Sequence, residues 1–290
     1  LFDTSLVSCK KAALLKPDYA KAYYNMGKVI QEDYLSAITL YERAIQAGQN
    51  YALAYNKKAI ALTALGRWDE AVAACNKAIE INPFFPKVYN SLGLIFNEMG
   101  KHEKSANTLK KAIILEANFH EAYNNLGVEL HQLEMYDQSK YLFRCAIKLK
   151  TDFSETYSNL GRVLLDLDKN RQSIENHKKA LVLGPDKTDL YQNLGIALYK
   201  IGELEHSKYA FQNTLRLRLD HVAALQSLSG LLAQMNTAPT YNNNIIKESE
   251  RALTEKLSLN IICNNMIKHF IGGDFLAADK QQKELELGLK

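Results

Sequence analysis

Four glycines of this chain, Gly93, Gly127, Gly161 and Gly195, stand 34 residues apart. Tyr55, Tyr89, Tyr123, Tyr157 and Tyr191 keep the same step. So do Ala71, Ser105, Ser139, Ser173 and Ser207, and likewise Ala78, Ala112, Ala146 and Ala180. Several columns in one phase leave only a repeat architecture, in which each unit buries its apolar face against the next. Pro83 and Pro185 are 102 residues apart, three steps, whereas Pro17 and Pro83 are 66 apart, two steps less two residues. The missing pair falls between Ile30 and Tyr34, which predicts a shortened turn there. The units are then 20–51, 52–85, 86–119, 120–153, 154–187 and 188–221, preceded by a half-unit over 1–19.

Each unit reads as two helices. In the first, Tyr123, Leu126, Gly127 and Leu130 recur at i, i+3, i+4 and i+7, which makes one apolar face. A break such as Leu65-Gly66-Arg67 or Ile201-Gly202-Glu203 follows. A second stripe comes next, for example Ala71, Cys75, Ala78 and Ile79. Asn82-Pro83 is expected to close that helix, because the residue before a proline is pushed out of the α region. The glycine and alanine columns mark places where helices cross closely and only a small side chain fits. Ala59 stands in the glycine column, so Gly127→Ala is expected to be nearly neutral.

These residues resemble the tetratricopeptide repeat (TPR) family. Its aromatic-x-x-Leu-Gly start is matched by Tyr23 to Gly27, Tyr89 to Gly93, Tyr123 to Gly127, Tyr157 to Gly161 and Tyr191 to Gly195. Its later positions are matched by Ala71, Cys75, Ala78 and Pro83, with Phe143 and Phe211 restoring the aromatic in other units. The resemblance covers residues 1–221 and implies an all-α fold, a right-handed α-α superhelix (solenoid) of 34-residue helix-turn-helix repeats. Lys58 in place of leucine, Ala59 in place of glycine and Thr214 in place of alanine depart from the pattern. They predict a locally looser unit at 52–85. Over 222–290 the pattern decays into degenerate helical repeats, read either as a C-terminal cap or as the start of another domain. The half-unit 1–19 lacks a first helix, so its stripe of Leu6, Cys9, Ala12 and Ala13 is expected to favour self-association.

Composition narrows the function. The chain is 47% hydrophobic and 23% charged, ample for buried packing, and its net charge is only +4. That is too little to make nucleic acid or a membrane surface a default partner. No apolar run approaches the roughly 18 residues of a membrane span, and the first residues lack the pattern of a signal peptide. The missing initiating Met points to a fragment or a processed form. Cys9, Cys75, Cys145 and Cys263 form no Cys-x-x-Cys pair, and no Asn-x-Ser/Thr acceptor occurs. Reduced thiols in a cytoplasmic protein are expected. No His-Glu-x-x-His, phosphate-binding loop or Gly-x-Ser-x-Gly elbow is present. The carboxylates fall at positions expected to be solvated, and Cys75 and Cys9 read as inert core thiols. No catalytic residue, metal site or cofactor is expected, and the chain reads as a non-enzyme.

What remains is surface. At about 100° per residue, Asn125 lies about 200° from Tyr123, opposite the packed stripe. Asn25, Asn159 and Asn193 share its column, which Lys57 and Ser91 interrupt. The column is similar to the asparagines in the TPR region of O-GlcNAc transferases. The resemblance implies that it lines a concave groove and holds the backbone of an extended segment, for which an amide offers both donor and acceptor. Asn90 and Asn124 stand beside that column. The carboxylate clamp that TPR proteins use for chaperone tails needs a Lys and an Asn one turn apart, and no unit supplies that pair. Around the same wall Lys21, Lys28, Lys57 and Lys87 come early and Glu121, Glu155, Asp166 and Asp189 late, with Arg162 and Lys200 intervening. Ile60, Leu94, Val128 and Ile196 add aliphatic contacts. Two function classes fit: a scaffold that binds a protein or extended peptide in its groove, or the substrate-recruiting arm of a larger glycosyltransferase or sulfotransferase.

Overall fold

A computed structural model describes residues 2–48, 50–184 and 188–235. These residues form two compact units that contain α-helices and no strand. The first holds α1 (Phe2–Leu15), α2 (Ala20–Val29), α3 (Tyr34–Ala47), α4 (Ala52–Ala64), α5 (Trp68–Ile81), α6 (Pro86–Glu98), α7 (His102–Leu115), α8 (His120–Gln132) and α9 (Tyr136–Leu149). The second holds α10 (Ser154–Asp166), α11 (Asn170–Leu183), α12 (Thr188–Lys200), α13 (Leu204–Leu217) and α14 (Val222–Met235). Within each unit consecutive helices pack on one another, the arrangement of a helical solenoid. First helices also touch: α4 meets α6 and α6 meets α8, while α10 meets α12 and α12 meets α14. Of the stretch 222–290, residues 222–235 form α14. The rest of that stretch lies outside the described residues, as does Pro185 with its two followers.

In every helix pair from α4–α5 to α12–α13 the hinge is a left-handed residue. Gly66, Gly100 and Gly202 have φ of 70°, 69° and 82°, and a Cβ on any of them would meet nothing within 4 Å. Glycine is there for its backbone freedom and not for space. The helix end is a Schellman motif: Arg67 N–H reaches Leu62 C=O at 2.9 Å and Gly66 N–H reaches Thr63 C=O at 2.9 Å. Glu134 and Asp168 take the same place at φ of 58° and 55°, at a cost of about 1 kcal/mol each.

Two expectations about boundaries need correction. The turn after α2 is not shortened. It runs over 30–33, one residue longer than the turn over 65–67, and the loss falls on α2, with 10 residues where α4 has 13. No left-handed residue occurs there. Instead the Asp33 carboxylate accepts from Ser36 N–H at 3.2 Å and caps α3. Nor does Pro83 cause the end of α5. The closing residues Asn82, Glu116, Lys150 and Arg218 are all extended, with φ of −138°, −140°, −144° and −146°. Three of the four precede no proline.

The core repeats one contact. A Cβ on Gly127 would lie 2.7 Å from Phe143 Cε1, one on Gly161 2.6 Å from His177, and one on Gly195 2.5 Å from Phe211. Gly27 faces Tyr41 and Gly93 faces Leu109 just as closely. The large second-helix side chain therefore lies directly on first-helix backbone. A serine hydroxyl completes the crossing by donating to the glycine carbonyl: Ser105 to Gly93, Ser173 to Gly161 and Ser207 to Gly195, each at 2.8 Å, and Ser139 to Gly127 at 2.6 Å. The unit at 52–85 is not loose. Ala59, Ala71, Cys75 and Ala78 are all fully buried, and the thiol of Cys75 is small enough to leave room for the Ala59 methyl.

Gly127→Ala is thus not neutral. It is expected to cost roughly 1–3 kcal/mol through overpacking against Phe143. Gly230, exposed in mid-α14 with nothing within 4 Å of an added Cβ, is expected to gain roughly 0.5–1 kcal/mol as Gly230→Ala. Urea denaturation of the two variants checks the pair, and equal responses contradict the tight crossing.

Candidate functional site

The packed stripe of each first helix turns toward its partner helix, which leaves the opposite face outward. In the first unit α2, α4 and α6 present Lys21, Lys28, Leu53, Ile60, Lys87 and Leu94 as exposed side chains, with Lys57 half-buried among them. Lys28 Nζ stands 6.0 Å from the ring centroid of Tyr24. Burial lowers the pKa of Lys57, and the charges of Lys28 and Lys87 lower it further. None of these four lysines has a carboxylate partner among the described residues. Neighbouring cations do: Lys58 meets Glu42 at 2.7 Å, Arg67 meets Glu70 at 2.6 Å and Lys77 meets Glu80 at 2.7 Å.

The acidic positions differ. Glu121 on α8 has His120 at 2.9 Å, and in the second unit Asp189 on α12 has His221 at 3.9 Å. Lys200 lies 3.6 Å from Asp168. Glu155 on α10 and Asp189 are exposed, while Asn159 and Asn193 are half-buried on α10 and α12. The amides also serve the fold. Asn125 Nδ2 on α8 donates to Asn90 Oδ1 on α6 at 2.9 Å, so this bond ties one repeat to the next. Gln192 Nε2 and Ser227 Oγ make the equivalent contact between α12 and α14 at 3.3 Å. Asn124 is buried, and Asn25 is half-buried on α2.

Not every carboxylate is solvated, contrary to expectation. Glu129 on α8 is 2% exposed. It accepts from Asn97 Nδ2 on α6 and stands 3.0 Å from His102 Nδ1 on α7. Its repeat equivalents are Ala61, Ile95, Val163 and Ala197, all buried and apolar. A charged residue inside an apolar column was the signal that the sequence held. Burial pushes the Cys75 thiol up to about 12, which keeps it protonated and inert. No group of three metal-ligating side chains occurs among the described residues. No helix there is long and apolar enough to cross a membrane.

Two tetratricopeptide repeat family models match the chain, one over residues 52–85 and the other over 74–105. Those residues are tetratricopeptide repeats, and the first match covers the unit in which Lys58 and Ala59 depart from the pattern. No curated protein is similar in sequence. Among solved structures, the chain is similar to the APC/C hetero-tetramer Cut9–Hcn1, with TM-score 0.73 and 15% identity over 80% of this chain and 46% of that one. It thus spans about half the length of the Cut9–Hcn1 chain. It is similar to pilF of Pseudomonas aeruginosa at TM-score 0.61 and 18% identity, covering 81% of this chain and 98% of that chain. YrrB follows at TM-score 0.52 and 18% identity, over 64% and 96%. At such identities the likeness is one of fold.

His177 occupies the position of Phe143 and Phe211 and gives the core a clear pH dependence. It is fully buried, neither ring nitrogen has a hydrogen-bond partner, and burial, aided by Arg162, lowers its pKa from 6.5 to about 4. Between those values the unfolded chain binds a proton that the folded chain does not, so stability falls as pH drops from 6.5 toward 4. The full loss amounts to roughly 3 kcal/mol. His177→Phe is expected to raise stability and flatten that slope, as read from urea midpoints across this pH range. An unchanged slope contradicts the assignment.

Proposed function

We propose that the chain is a non-catalytic scaffold whose outward first-helix faces hold an extended segment of a partner protein. One observation carries this reading. On α4 and α6 the side chains of Leu53, Ile60 and Leu94 each remain 43% exposed beside lysines that meet no carboxylate among the described residues. A face with no partner has no folding reason to combine aliphatic side chains with unpaired charge, whereas peptide recognition uses both. Asn25 offers donor and acceptor to the backbone of the bound segment. In the second unit the faces of α10 and α12 suit a basic stretch through Glu155 and Asp189, with Asn159 and Asn193 beside them. The comparisons support the reading in kind: YrrB is described as a TPR protein with an unusual peptide-binding site, and Cut9–Hcn1 is a hetero-tetramer.

Site-specific photo-crosslinking in cell extract tests it. A photo-reactive amino acid in place of Leu94 is expected to capture a protein. The same group in place of Ile114, exposed on the second helix α7, is expected to capture none. Capture from both positions alike, or from Ile114 only, contradicts the reading.

A further inference from the structure

Lys57 is held in an unfavourable place. It is half-buried on α4, and both Lys28 on α2 and Lys87 on α6 lie within electrostatic reach of it. Three successive repeats thus contribute positive charge to the neighbourhood of Lys57. The adjacent residue Lys58 shows what this fold does with a cation that it neutralises internally, since Glu42 of the preceding helix meets it at 2.7 Å. Lys57 receives no such carboxylate among the described residues. Like charges around a partly desolvated ammonium destabilise the free protein, and an arriving anion relieves both the repulsion and the lost hydration. Next to the lysines, Leu53 precedes Lys57 by one helical turn, Ile60 follows it by three residues, and Leu94 lies on α6 beyond Lys87.

We propose that the α2–α4–α6 face binds an acidic stretch of an extended peptide, with Lys57 taking the central carboxylate and Lys28 and Lys87 the flanking ones. This rests on the groove-binding reading above and gives it a chemistry. Leu53, Ile60 and Leu94 take the aliphatic side chains between the acids, so the fitting partner alternates acidic and aliphatic residues. The mixture separates such a peptide from a bare polyanion. A nucleic acid brings charge at every step but no aliphatic side chain for the leucines, and the face lacks the density of Lys and Arg that phosphate backbones recruit.

Fluorescence anisotropy with three probes tests the inference: a short labelled peptide alternating Glu and Leu, its Gln–Leu counterpart, and a single-stranded oligonucleotide of matched charge. The Glu–Leu peptide is expected to bind, and Lys57→Gln or Lys87→Gln to weaken it roughly tenfold each. Lys110→Gln with Lys111→Gln, exposed on α7, should leave it unchanged. Thermal melting confirms that each variant is folded, and Lys87, being exposed, serves if Lys57→Gln is not. Equal binding of the Glu–Leu and Gln–Leu peptides, both weakened by Leu94→Asp, overturns the acidic specificity and leaves groove binding standing. An oligonucleotide bound as tightly as the Glu–Leu peptide also overturns it. Binding lost through the α7 lysines, or no binding of either peptide, overturns the site itself.

Discussion

Five of the repeats are held by a second-helix side chain pressed onto first-helix backbone at a glycine. Where Phe143 meets Gly127 or Phe211 meets Gly195, even one methyl would stand under 3.0 Å from the ring. Such a contact fixes the crossing in two ways at once. The ring sets the distance between the axes, and the serine hydroxyl on the glycine carbonyl sets the register along them. With pairs so fixed, first helices of successive repeats meet, α4 with α6 and α6 with α8 in one unit, α10 with α12 and α12 with α14 in the other. Their outward faces become continuous walls whose side chains are placed by packing elsewhere. The exposed aliphatics and lysines of α2, α4 and α6 are thus positioned by contacts made on the other side of their helices.

The same crossing explains what could be read without coordinates. The period, the glycine column and the serine column follow directly from a contact repeated every 34 residues. The size rule does not, because a column shows one side of a contact and the tolerance of Gly127 depends on the other. Ala59 invited the inference that alanine fits anywhere in its column. It fits because Cys75 faces it in place of a ring. The end of α5 likewise does not depend on Pro83, since Glu116 and Lys150 leave their helices at nearly the same φ as Asn82.

For the candidate site, the sequence identified positions but not their balance of charge. Lys21, Lys28, Lys57 and Lys87 were visible as a basic run, and Glu121 and Asp189 as acidic counterparts. Only the packed chain shows that these acids have histidines beside them, whereas the lysines of this face meet no carboxylate among the described residues. The Asn125–Asn90 bond could not be foreseen either, since it joins residues 35 apart on different helices. It gives that amide a part in joining repeats, which is sufficient reason for an asparagine there. Glu129 breaks the usual expectation that a carboxylate is solvated, and the signal for its burial lies in its column mates Ile95 and Val163, both buried and apolar.

The central claim is that the size of the second-helix side chain and the absence of a first-helix Cβ are one coupled feature. A double-mutant cycle at the exceptional pair measures this coupling. Cys75→Phe alone should destabilise by driving a ring into the Ala59 methyl, and Ala59→Gly alone by roughly 1 kcal/mol from lost helix propensity. Combined, they recreate the Gly127–Phe143 contact. The account predicts a favourable coupling of roughly 1–3 kcal/mol in urea denaturation. A double variant whose loss equals the sum of the two single losses contradicts it.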